Sequence, residues 1–499
     1  MKEIITLQLG NLSNYAATHF WNAQESYFTY SGQDESPIDH NVHWRPGVGA
    51  DGSETFLPRT VIYDLKGGFG SLRKINALYE AGSASDHAAS SLWSGQSVVQ
   101  KQQPIEQSEY QKNLDAGADT SQLTQNKVRY WSDFSRIYYH PKSLVQLYDY
   151  ELNSSIRPFE RYAAGTELFD SLDKEHDIVD RDMRPFVEEC DRMQGIQALA
   201  TLDDAWGGFS TKYLEALRDE YPKTCIWLWG LQSPMLDTPR EKRQLRMSNV
   251  AQTLASTCAS ASMVVPLSIP ESGLPQGVHI DPRSPWSTGA AFATAIETAT
   301  MESRLTGRND AAQNSLWDIV ETLNAGGNQN MAKLRMRVAS SVADLEKSDS
   351  DMDMFGVGQL CKGMSSTQKT GRSRVFGQLS THRGAAPDED VVKGEDEDPR
   401  ARRLVGDPVY RRFDTPLKFP MLDSFPGIWP GAGKETAVDV QTVLSTETSI
   451  GPPIKTLKSL SAWSIPLDER ETVANGLSEI ADAYQDDWSS GSDEDDDDA

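Results

Sequence analysis

The segment Gln194–Pro222 constrains the fold of this chain more than any other, because a strand, a loop and a helix follow one another in it. The apolar run Ile196–Leu199 predicts the strand, and Asp203–Gly208, with two adjacent glycines, predicts the loop. Apolar residues at helical spacing then start after Ser210 and end at Pro222. In α/β proteins a loop at this place holds a phosphate, because the free N–H groups and the positive dipole end of the helix face it.

Two acidic residues in the loop count against a working phosphate site. Asp203 and Asp204 would place two negative charges where the phosphate arrives, and carboxylates repel a polyphosphate unless a cation intervenes. The pair could instead hold Mg²⁺, although adjacent acids in a loop more often cap a helix or stay solvated. Neither the eight histidines nor the four cysteines have the spacing of a metal site. We therefore predict no metal site.

Length, charge and cysteine content limit the class of protein. A chain of 499 residues can bury a large core and favours two domains. Its net charge of −25 counts against direct binding of nucleic acid, which needs clustered Lys and Arg. The widely spaced cysteines favour a reducing compartment, and Met1–Gly10 has the features of neither a signal peptide nor a transit helix. Since no apolar run reaches the roughly 18 residues of a membrane span, we expect a cytoplasmic protein without a transmembrane segment.

Strands and helices alternate over residues 1–270, which predicts a parallel sheet covered by helices on both faces. Besides the segment above, strands are predicted at Ile4–Leu9, Thr60–Leu65, Cys225–Leu231 and Met263–Leu267. Helices are predicted at Tyr15–Trp21, Asp177–Met193 and Met247–Ser262. Residues 82–127 are polar and lack an apolar period, so we interpret them as an irregular insertion. Residues 128–152 are densely aromatic and form either core or a partner surface.

The chain after residue 270 has a weaker pattern. Residues 346–402 are rich in charge and poor in apolar side chains, which predicts a disordered linker or a surface insertion. Thr442–Leu460 suggests strands on both sides of the breaker Gly451-Pro452-Pro453. An amphipathic helix is predicted at residues 471–488, and residues 489–499 form an acidic tail.

Several of these segments, taken together, resemble tubulin. MKEIITLQLGNLSNYAATHFW resembles the tubulin amino terminus, in which a strand ends in glycine, a phosphate-facing turn follows and a helix enters Phe-Trp. LPRTVIYDL resembles a tubulin strand, and the segment that ends at Pro222 resembles the one with the glycine-rich signature loop. Arg246–Leu254 resembles the start of the central helix, whose asparagine contacts guanine. The likeness covers roughly residues 1–270.

The aromatic block at residues 128–152 is not a tubulin feature. Together with the tubulin-like start and DDAWGGFST, it is similar to the Misato family, whose fungal members are called Dml proteins. The resemblance implies a tubulin/FtsZ-like α/β fold, in which a Rossmann-like parallel-sheet domain at residues 1–270 precedes a second α+β domain. That second domain would comprise residues 271–345 and 403–470, followed by the C-terminal helix and an acidic disordered tail.

The resemblance also implies a degenerate nucleotide site. Carried over position by position, the site would consist of Gly10, Asn11, Asn14, Gly207, Gly208, Ser210, Thr211 and Asn249. Asp203, Asp204 and Trp206 replace family glycines, and an indole would crowd the approach of a phosphate to the backbone. Lys66 stands where tubulin has an acid that helps to hold Mg²⁺. The tubulin loop that supplies the catalytic acid has no counterpart that the sequence reveals.

The Misato family is linked to mitochondrial distribution and to the inheritance of mitochondrial DNA. The resemblance therefore implies a non-catalytic, tubulin-like factor that has lost GTP hydrolysis. It does not decide whether the protein still binds GTP. It further implies cytoskeletal or chaperonin-type protein partners, and peripheral association with mitochondria beside a cytoplasmic pool. The alternative is an active GTPase that binds GTP and polymerises, which needs an intact loop and a catalytic acid.

Overall fold

The computed structural model describes residues 2–29, 35–48, 54–72, 105–118, 120–235, 237–306, 314–339, 351–362, 373–384, 407–431 and 436–485. In chain order the strands are β1 (Glu3–Leu9), β2 (Trp44–Val48), β3 (Glu54–Pro58), β4 (Thr60–Lys66), β5 (Leu144–Glu151), β6 (Met193–Thr201), β7 (Cys225–Leu231), β8 (Met263–Leu267), β9 (Lys333–Ala339), β10 (Met352–Asp353), β11 (Val375–Arg383), β12 (Val409–Thr415), β13 (Phe419–Pro420) and β14 (Ala437–Glu447). The α-helices are α1 (Asn11–Glu25), α2 (Glu109–Asp115), α3 (Tyr162–His176), α4 (Arg184–Val187), α5 (Ala205–Glu220), α6 (Arg240–Ser260), α7 (Pro285–Ala299), α8 (Leu316–Leu323), α9 (Gly356–Leu360), α10 (Gly451–Ser461) and α11 (Leu467–Asp482).

A six-stranded sheet forms the centre of the first part of the chain, in the order β5-β4-β1-β6-β7-β8. All its neighbouring strands run parallel. The strands β1, β7 and β8 are buried along their whole length, as strands covered on both faces must be. The predicted α/β fold class, with a parallel sheet followed by a mixed second part, is confirmed.

Helices cover both faces of this sheet. Successive residues of a strand point to opposite faces, so Ile4 joins the hydrophobic cluster that contains Trp21 and Phe292, whereas Ile5 joins the cluster that contains Phe209. Accordingly α1 and α7 lie on one face, and α3, α5 and α6 lie on the other. The alternation of strands and helices predicted for residues 1–270 therefore gives the layered arrangement that it indicated.

The second sheet has the order β10-β9-β14-β11-β12, with β13 also paired to β14. Its strands β11 and β12 are parallel, and the other pairs are antiparallel. Helix α7 contacts α1 as well as β11 and β14, and therefore lies between the two sheets. Every residue of α7 after Pro285 is buried, as expected for a helix that is covered on all sides.

The last two helices pack against each other and against α6. Their end is fixed by Tyr484, whose hydroxyl donates to the carbonyl oxygen of Met331 at 2.6 Å and accepts from its N–H at 2.7 Å. Helix α11 begins at Leu467, before the predicted residue 471. Residues 486–499, which include the predicted acidic tail, lie outside the described residues.

The prediction of strands on both sides of Gly451-Pro452-Pro453 is wrong in its second half. β14 ends at Glu447, and α10 begins at Gly451 with both prolines in its first turn. The first N–H groups of a helix have no partner within the helix, so proline loses nothing there and its fixed φ suits the turn. A proline pair that breaks strands can therefore also start a helix.

The prediction of a disordered linker or a surface insertion at residues 346–402 is wrong for residues 351–362 and 373–384. They contain β10, α9 and β11, and Met354 and Phe355 are buried. The strand β11 buries alternate residues only, so its sequence is poor in apolar side chains although it is a regular strand. The remaining residues of this range lie outside the described part.

The mostly irregular insertion predicted at residues 82–127 contains one regular helix within its described part. Residues 109–115 form α2, capped by Ser108, and Tyr110 is buried with its hydroxyl 2.9 Å from Asp423 Oδ1. Residues 82–104 and residue 119 lie outside the described part. The helix predicted at Asp177–Met193 is also interrupted, because a π turn leads into the short α4, and β6 begins at Met193.

The aromatic block at residues 128–152 contributes mainly to the core. Trp131, Phe134 and Tyr139 are buried in the cluster that also contains α1. The last part of the block forms β5, the edge strand of the parallel sheet, on which Tyr148 is 75% exposed. Of the two interpretations that the sequence left open, the core interpretation therefore holds for the first part of the block.

Candidate functional site

A crevice of about 540 Å³ opens near the carboxyl ends of β1 and of the strands β4 to β7. Open α/β sheets bind their ligands in this position. The walls of the crevice include Asn11, Asp203, Asp204, Trp206 and Arg246. Of the eight predicted site residues, all of which the structure describes, only Asn11 lines the crevice.

The predicted phosphate loop is shorter than its sequence suggests. β6 ends at Thr201, and α5 begins at Ala205 with Asp204 as its N-cap. Residues 202–204 alone connect the two elements, so the prediction that Asp203–Gly208 forms a loop is wrong. The local backbone preference of two adjacent glycines favours a loop. Here the packing of the helix against its neighbours outweighs that preference.

The two glycines lie inside α5 and bring neighbouring helices close to it. A Cβ on Gly208 would come within 2.1 Å of the carbonyl oxygen of Tyr162, the first residue of α3. A Cβ on Gly207 would come within 2.3 Å of Oγ1 of Thr253 on α6. Both positions therefore need glycine for helix packing, and neither offers its backbone to a ligand in the crevice.

Asp204 occupies the anion position at the start of α5. Its Oδ1 accepts from the N–H of Trp206 at 2.9 Å and from the hydroxyl of Thr201 at 2.5 Å. Burial and the neighbouring carboxyl of Asp203 raise the pKa of Asp204 to about 7. Since a helix N-terminus binds a phosphate through these same N–H groups, the protein's own carboxyl group takes the place of a ligand.

Asp203 lies beside this cap and is itself buried. Its Oδ2 accepts from the N–H of Ser233 at 3.1 Å and lies 3.7 Å from Nε of Arg246. Burial raises the pKa of Asp203, although the Arg246 guanidinium opposes the shift. An entering polyphosphate would therefore meet two carboxyl groups that are already poorly solvated.

Trp206 covers the turn between β1 and α1. The ring lies so close to Gly10 that an added Cβ would come within 2.6 Å of Cδ1 and Nε1 of the indole. Gly10 has a φ of 92°, which glycine adopts without strain. Trp206 is buried against Phe159 and Phe209, with ring centroids 5.3 Å and 5.5 Å away. The indole thus fills the space in which the backbone would approach a phosphate.

Asn14 and Asp64, an acid within β4, are tied to the aromatic block. Asp64 Oδ2 accepts from Asn14 Nδ2 at 2.9 Å and from Trp131 Nε1 at 3.1 Å. Burial raises the pKa of Asp64 to about 6, against the effect of these donors. The family resemblance assigned Asn14 to the phosphate site, but its amide instead helps to hold Trp131 in the core.

Asn249 is held by the main chain of two other segments. Its Nδ2 donates to the carbonyl oxygens of Glu160 at 2.7 Å and Asp203 at 3.0 Å, and its Oδ1 accepts from the N–H of Tyr162 at 3.1 Å. Both amide hydrogens are used, so none is left for a base. The prediction that Asn249 lies at the start of the central helix is wrong, because α6 begins at Arg240 and α7 lies between the sheets.

Ser210 and Thr211 are not available to a ligand either. Both hydroxyl groups donate to the carbonyl oxygen of Gly207 at 2.9 Å, within α5. Both side chains are buried. Together with the glycines, they show that this helix satisfies its own polar groups and leaves none of the predicted contacts free.

The basic side chains of the crevice already have partners. Lys242 Nζ lies 2.7 Å from Glu160 Oε1, and Arg246 donates to the carbonyl oxygen of Pro234 at 2.9 Å. Arg283 is paired with Asp237. A polyphosphate would have to replace these contacts before it gained new ones.

A buried ion cluster at some distance from the crevice was missed by sequence reasoning. Glu297 on α7 accepts from Arg304 at 2.8 Å, pairs with Arg383 on β11, and accepts from the hydroxyl of Tyr27 at 3.1 Å. Burial alone would raise the pKa of Glu297, but Arg383 and Arg304 hold it below its usual value. The available signal was a single acid in the otherwise uncharged sequence of α7.

Two further properties concern only the residues that the structure describes. Among them, no group of three or more His, Cys, Asp or Glu side chains is arranged to hold a metal ion. Nor does any helix in the described ranges have the length and apolar character needed to cross a bilayer.

Comparison with known proteins adds two family matches and a set of relatives. A family described as the Misato Segment II tubulin-like domain matches residues 2–116, and one described as a tubulin domain matches residues 120–305. Protein DML1 of Gibberella zeae is 56% identical over 503 residues, which cover 100% of both chains. Protein dml-1 of Neurospora crassa is 47% identical and protein dml1 of Aspergillus niger 44%, each again over 100% of both chains.

Proposed function

Because this chain belongs to the Misato/Dml family of tubulin-like proteins, we propose that it is a non-catalytic factor in the distribution of mitochondria and the inheritance of mitochondrial DNA. The mitochondrial role is what membership of the family implies. The proposed loss of catalysis is supported by the crevice at the carboxyl ends of the sheet strands.

One contact supports the loss of catalysis most directly. The indole of Trp206 lies against Gly10, in the space where the backbone would have to approach a phosphate. The carboxyl of Asp204 caps the helix that would otherwise bind the anion. Nucleotide binding would require both groups to move, and the binding free energy would be reduced by that rearrangement.

The rival function is that of a GTPase that polymerises in the manner of tubulin. GTP as a ligand fits the tubulin-like domain as a class, and the crevice has the position of a nucleotide site. Against this stand Asn249, whose amide hydrogens are both used by the main chain, and the basic side chains that are already paired. These contacts favour the non-catalytic function.

Calorimetric titration of nucleotide-free protein with GTP and Mg²⁺, followed by a phosphate-release assay, tests the catalytic part of the proposal. We expect a dissociation constant weaker than about 1 mM and no turnover above the buffer rate. Tight binding with measurable hydrolysis would establish the rival function. A Trp206→Gly variant is the matched comparison, because it removes the indole that crowds Gly10.

The proposed role in the cell includes peripheral association with mitochondria, a cytoplasmic pool, and protein partners of the cytoskeletal or chaperonin type. Depletion of the protein is the direct test, with mitochondrial DNA copy number and mitochondrial distribution as readouts. We expect both to be disturbed. Re-expression of the wild-type chain, which contains Trp206 and is expected to have no GTP turnover, should restore both. Normal mitochondrial DNA and distribution after full depletion would refute the role.

A further inference from the structure

The connection between α10 and α11 exposes two large apolar side chains. Trp463 is 84% exposed and Leu467 is 79% exposed. Large apolar side chains that are so fully solvated are uncommon when they occur together, and they are frequent at sites of protein interaction. Trp463 and Leu467 form the tip of this helix hairpin and are, after Ile156, the most exposed large apolar side chains among the described residues.

The tip is held in place by the rest of the hairpin. The guanidinium of Arg470 lies 5.6 Å from the centre of the Trp463 ring and donates to the carbonyl oxygen of Ile465 at 3.2 Å. Ile465 and Val473 are buried beneath it, and both helices pack against α6. An aromatic side chain that is already oriented loses little conformational entropy when a partner covers it.

We propose that this tip is a docking surface for a protein partner whose apolar pocket is bordered by Lys and Arg side chains. The charges around the tip select the partner. Residues 468–471 carry three carboxylates, of which those of Asp468 and Glu471 are exposed, against the one guanidinium of Arg470, so the border of the tip is acidic overall. The lysines of α10 are used elsewhere in the hairpin, since Lys458 donates to Ser478 at 2.5 Å and Lys455 lies 3.9 Å from Asp482.

Two other occupants fit these charges less well. Trp and Leu side chains also suit a bilayer interface, but an anionic lipid surface would repel Asp468 and Glu471. A second copy of this chain would bring a net charge of −25 toward an acidic rim. A basic protein surface instead gains attraction at the rim while the two apolar side chains enter its pocket.

The test places a photoreactive p-benzoylphenylalanine at position 467 of the full chain in living cells. We expect one main crosslinked adduct with another protein, whose contact peptide, identified by mass spectrometry, carries Lys or Arg next to apolar residues. Trp463→Ala should lower the yield about tenfold or more, because a central aromatic anchor dominates such contacts. Asp468→Lys combined with Glu471→Lys should lower it about threefold to tenfold.

Matched controls separate docking from loss of the fold. Tyr410→Ala removes another exposed aromatic side chain, on β12, and should leave the adduct unchanged. The unfolding midpoint of Trp463→Ala should equal that of the wild type, because the indole is largely solvated. Absence of an adduct, an adduct with a second copy, or a contact peptide without basic residues would each overturn the proposal.

Binding to lipid is measured with phosphatidylcholine vesicles with and without cardiolipin. We expect no sedimentation of the full chain with either, and binding that is lost in Trp463→Ala would overturn the proposal in favour of a membrane. The tip is remote in sequence from the residues of the crevice and does not depend on the proposed loss of nucleotide binding. The calorimetric result and the crosslinking result can therefore fail separately.

Discussion

The indole of Trp206 and the backbone of Gly10 share a contact in which no further atom fits, since a Cβ on Gly10 would lie 2.6 Å from two ring atoms. Gly10 lies in the turn that follows β1, and Trp206 lies in the first turn of α5, the helix that follows the neighbouring parallel strand β6. In a working phosphate site these two turns would face the ligand. Here one turn covers the other, so the contact replaces a ligand by a side chain of the protein.

Gly10→Ala tests this contact. The new methyl group meets the indole, and alanine is strained at a φ of 92°, so we expect a loss of stability of roughly 2–4 kcal/mol. Urea unfolding measures the loss of free energy of unfolding, provided that its dependence on urea concentration is the same in wild type and variant. Gly67→Ala is the control, because Gly67 has a φ of 85° but no atom within 4 Å of an added Cβ. A loss in Gly10→Ala no larger than in Gly67→Ala would contradict the close contact.

Asp204→Asn should make the protein more stable near pH 7 and reduce the dependence of its stability on pH. The pKa of Asp204 is raised to about 7, so between about pH 4 and pH 7 the folded chain keeps a proton that the unfolded chain releases. Stability from this group is therefore greatest below about pH 4 and falls as the pH rises, by up to about 1.4 kcal/mol per unit. Asparagine keeps an oxygen that can accept from Trp206 N–H.

Unfolding midpoints over this pH range measure the effect of Asp204→Asn. Burial also raises the pKa values of Asp64 and Asp203, so part of the decline should remain in the variant. Asp219→Asn, at an exposed position on the same helix α5, should leave the curve unchanged. If the stability of the wild type rises between about pH 4 and pH 7, and Asp204→Asn has the same pH dependence as the wild type, the raised pKa of Asp204 is refuted.

Trp131→Phe should destabilise the fold by roughly 2–3 kcal/mol. It removes the N–H that donates to Asp64 at 3.1 Å and leaves a gap in a fully buried position. The loss of a donor should also raise the pKa of Asp64 further above about 6, which a pH series of unfolding midpoints would detect. Trp463→Phe makes the same chemical change at an exposed position and should alter stability by less than about 0.5 kcal/mol.

Glu297→Gln should be the most destabilising of these changes, by about 3–5 kcal/mol, because it leaves the guanidinium groups of Arg304 and Arg383 buried without a counter-charge. Chemical unfolding measures the loss. Glu321→Gln on α8, at an exposed position, is the control. If a buried unpaired charge is the cause, the double variant Glu297→Gln with Arg383→Met should be no less stable than Glu297→Gln alone. A further loss of stability in the double variant would contradict this cause.

The sequence predicts five of the six strands of the parallel sheet, because each of those five has a local signal; the edge strand β5 was not predicted. An apolar run bounded by Gly, Asp or Pro marks β1, β4, β7 and β8, and such runs are typical of strands covered on both faces. The second sheet lacks this signal. Its strand β11 alternates between buried and partly exposed residues and pairs with β14, which lies far along the chain.

The candidate site could be predicted in its position but not in its contacts. Family resemblance identified the replaced glycines, and the structure then places Asp203, Asp204 and Trp206 at the crevice. Where α5 begins depends on the close packing of Gly207 and Gly208 against two other helices, which no local pattern reveals. Similarly, Glu297 and Arg383 are 86 residues apart in sequence, so their ion pair has no local signature.

The close contacts of Gly207 and Gly208 also bear on how such a site decays. A substitution at Gly208 would push α3 away from α5 whether or not the protein ever meets a nucleotide. Positions that served only a ligand are free to drift, whereas positions that also set the spacing of helices are not. We therefore expect that the glycines of such a site are lost at different rates, and that those which remain are the ones that helix packing requires. A sequence search that counts those glycines as remnants of GTP binding would therefore assign them to a nucleotide site, although helix packing alone requires them.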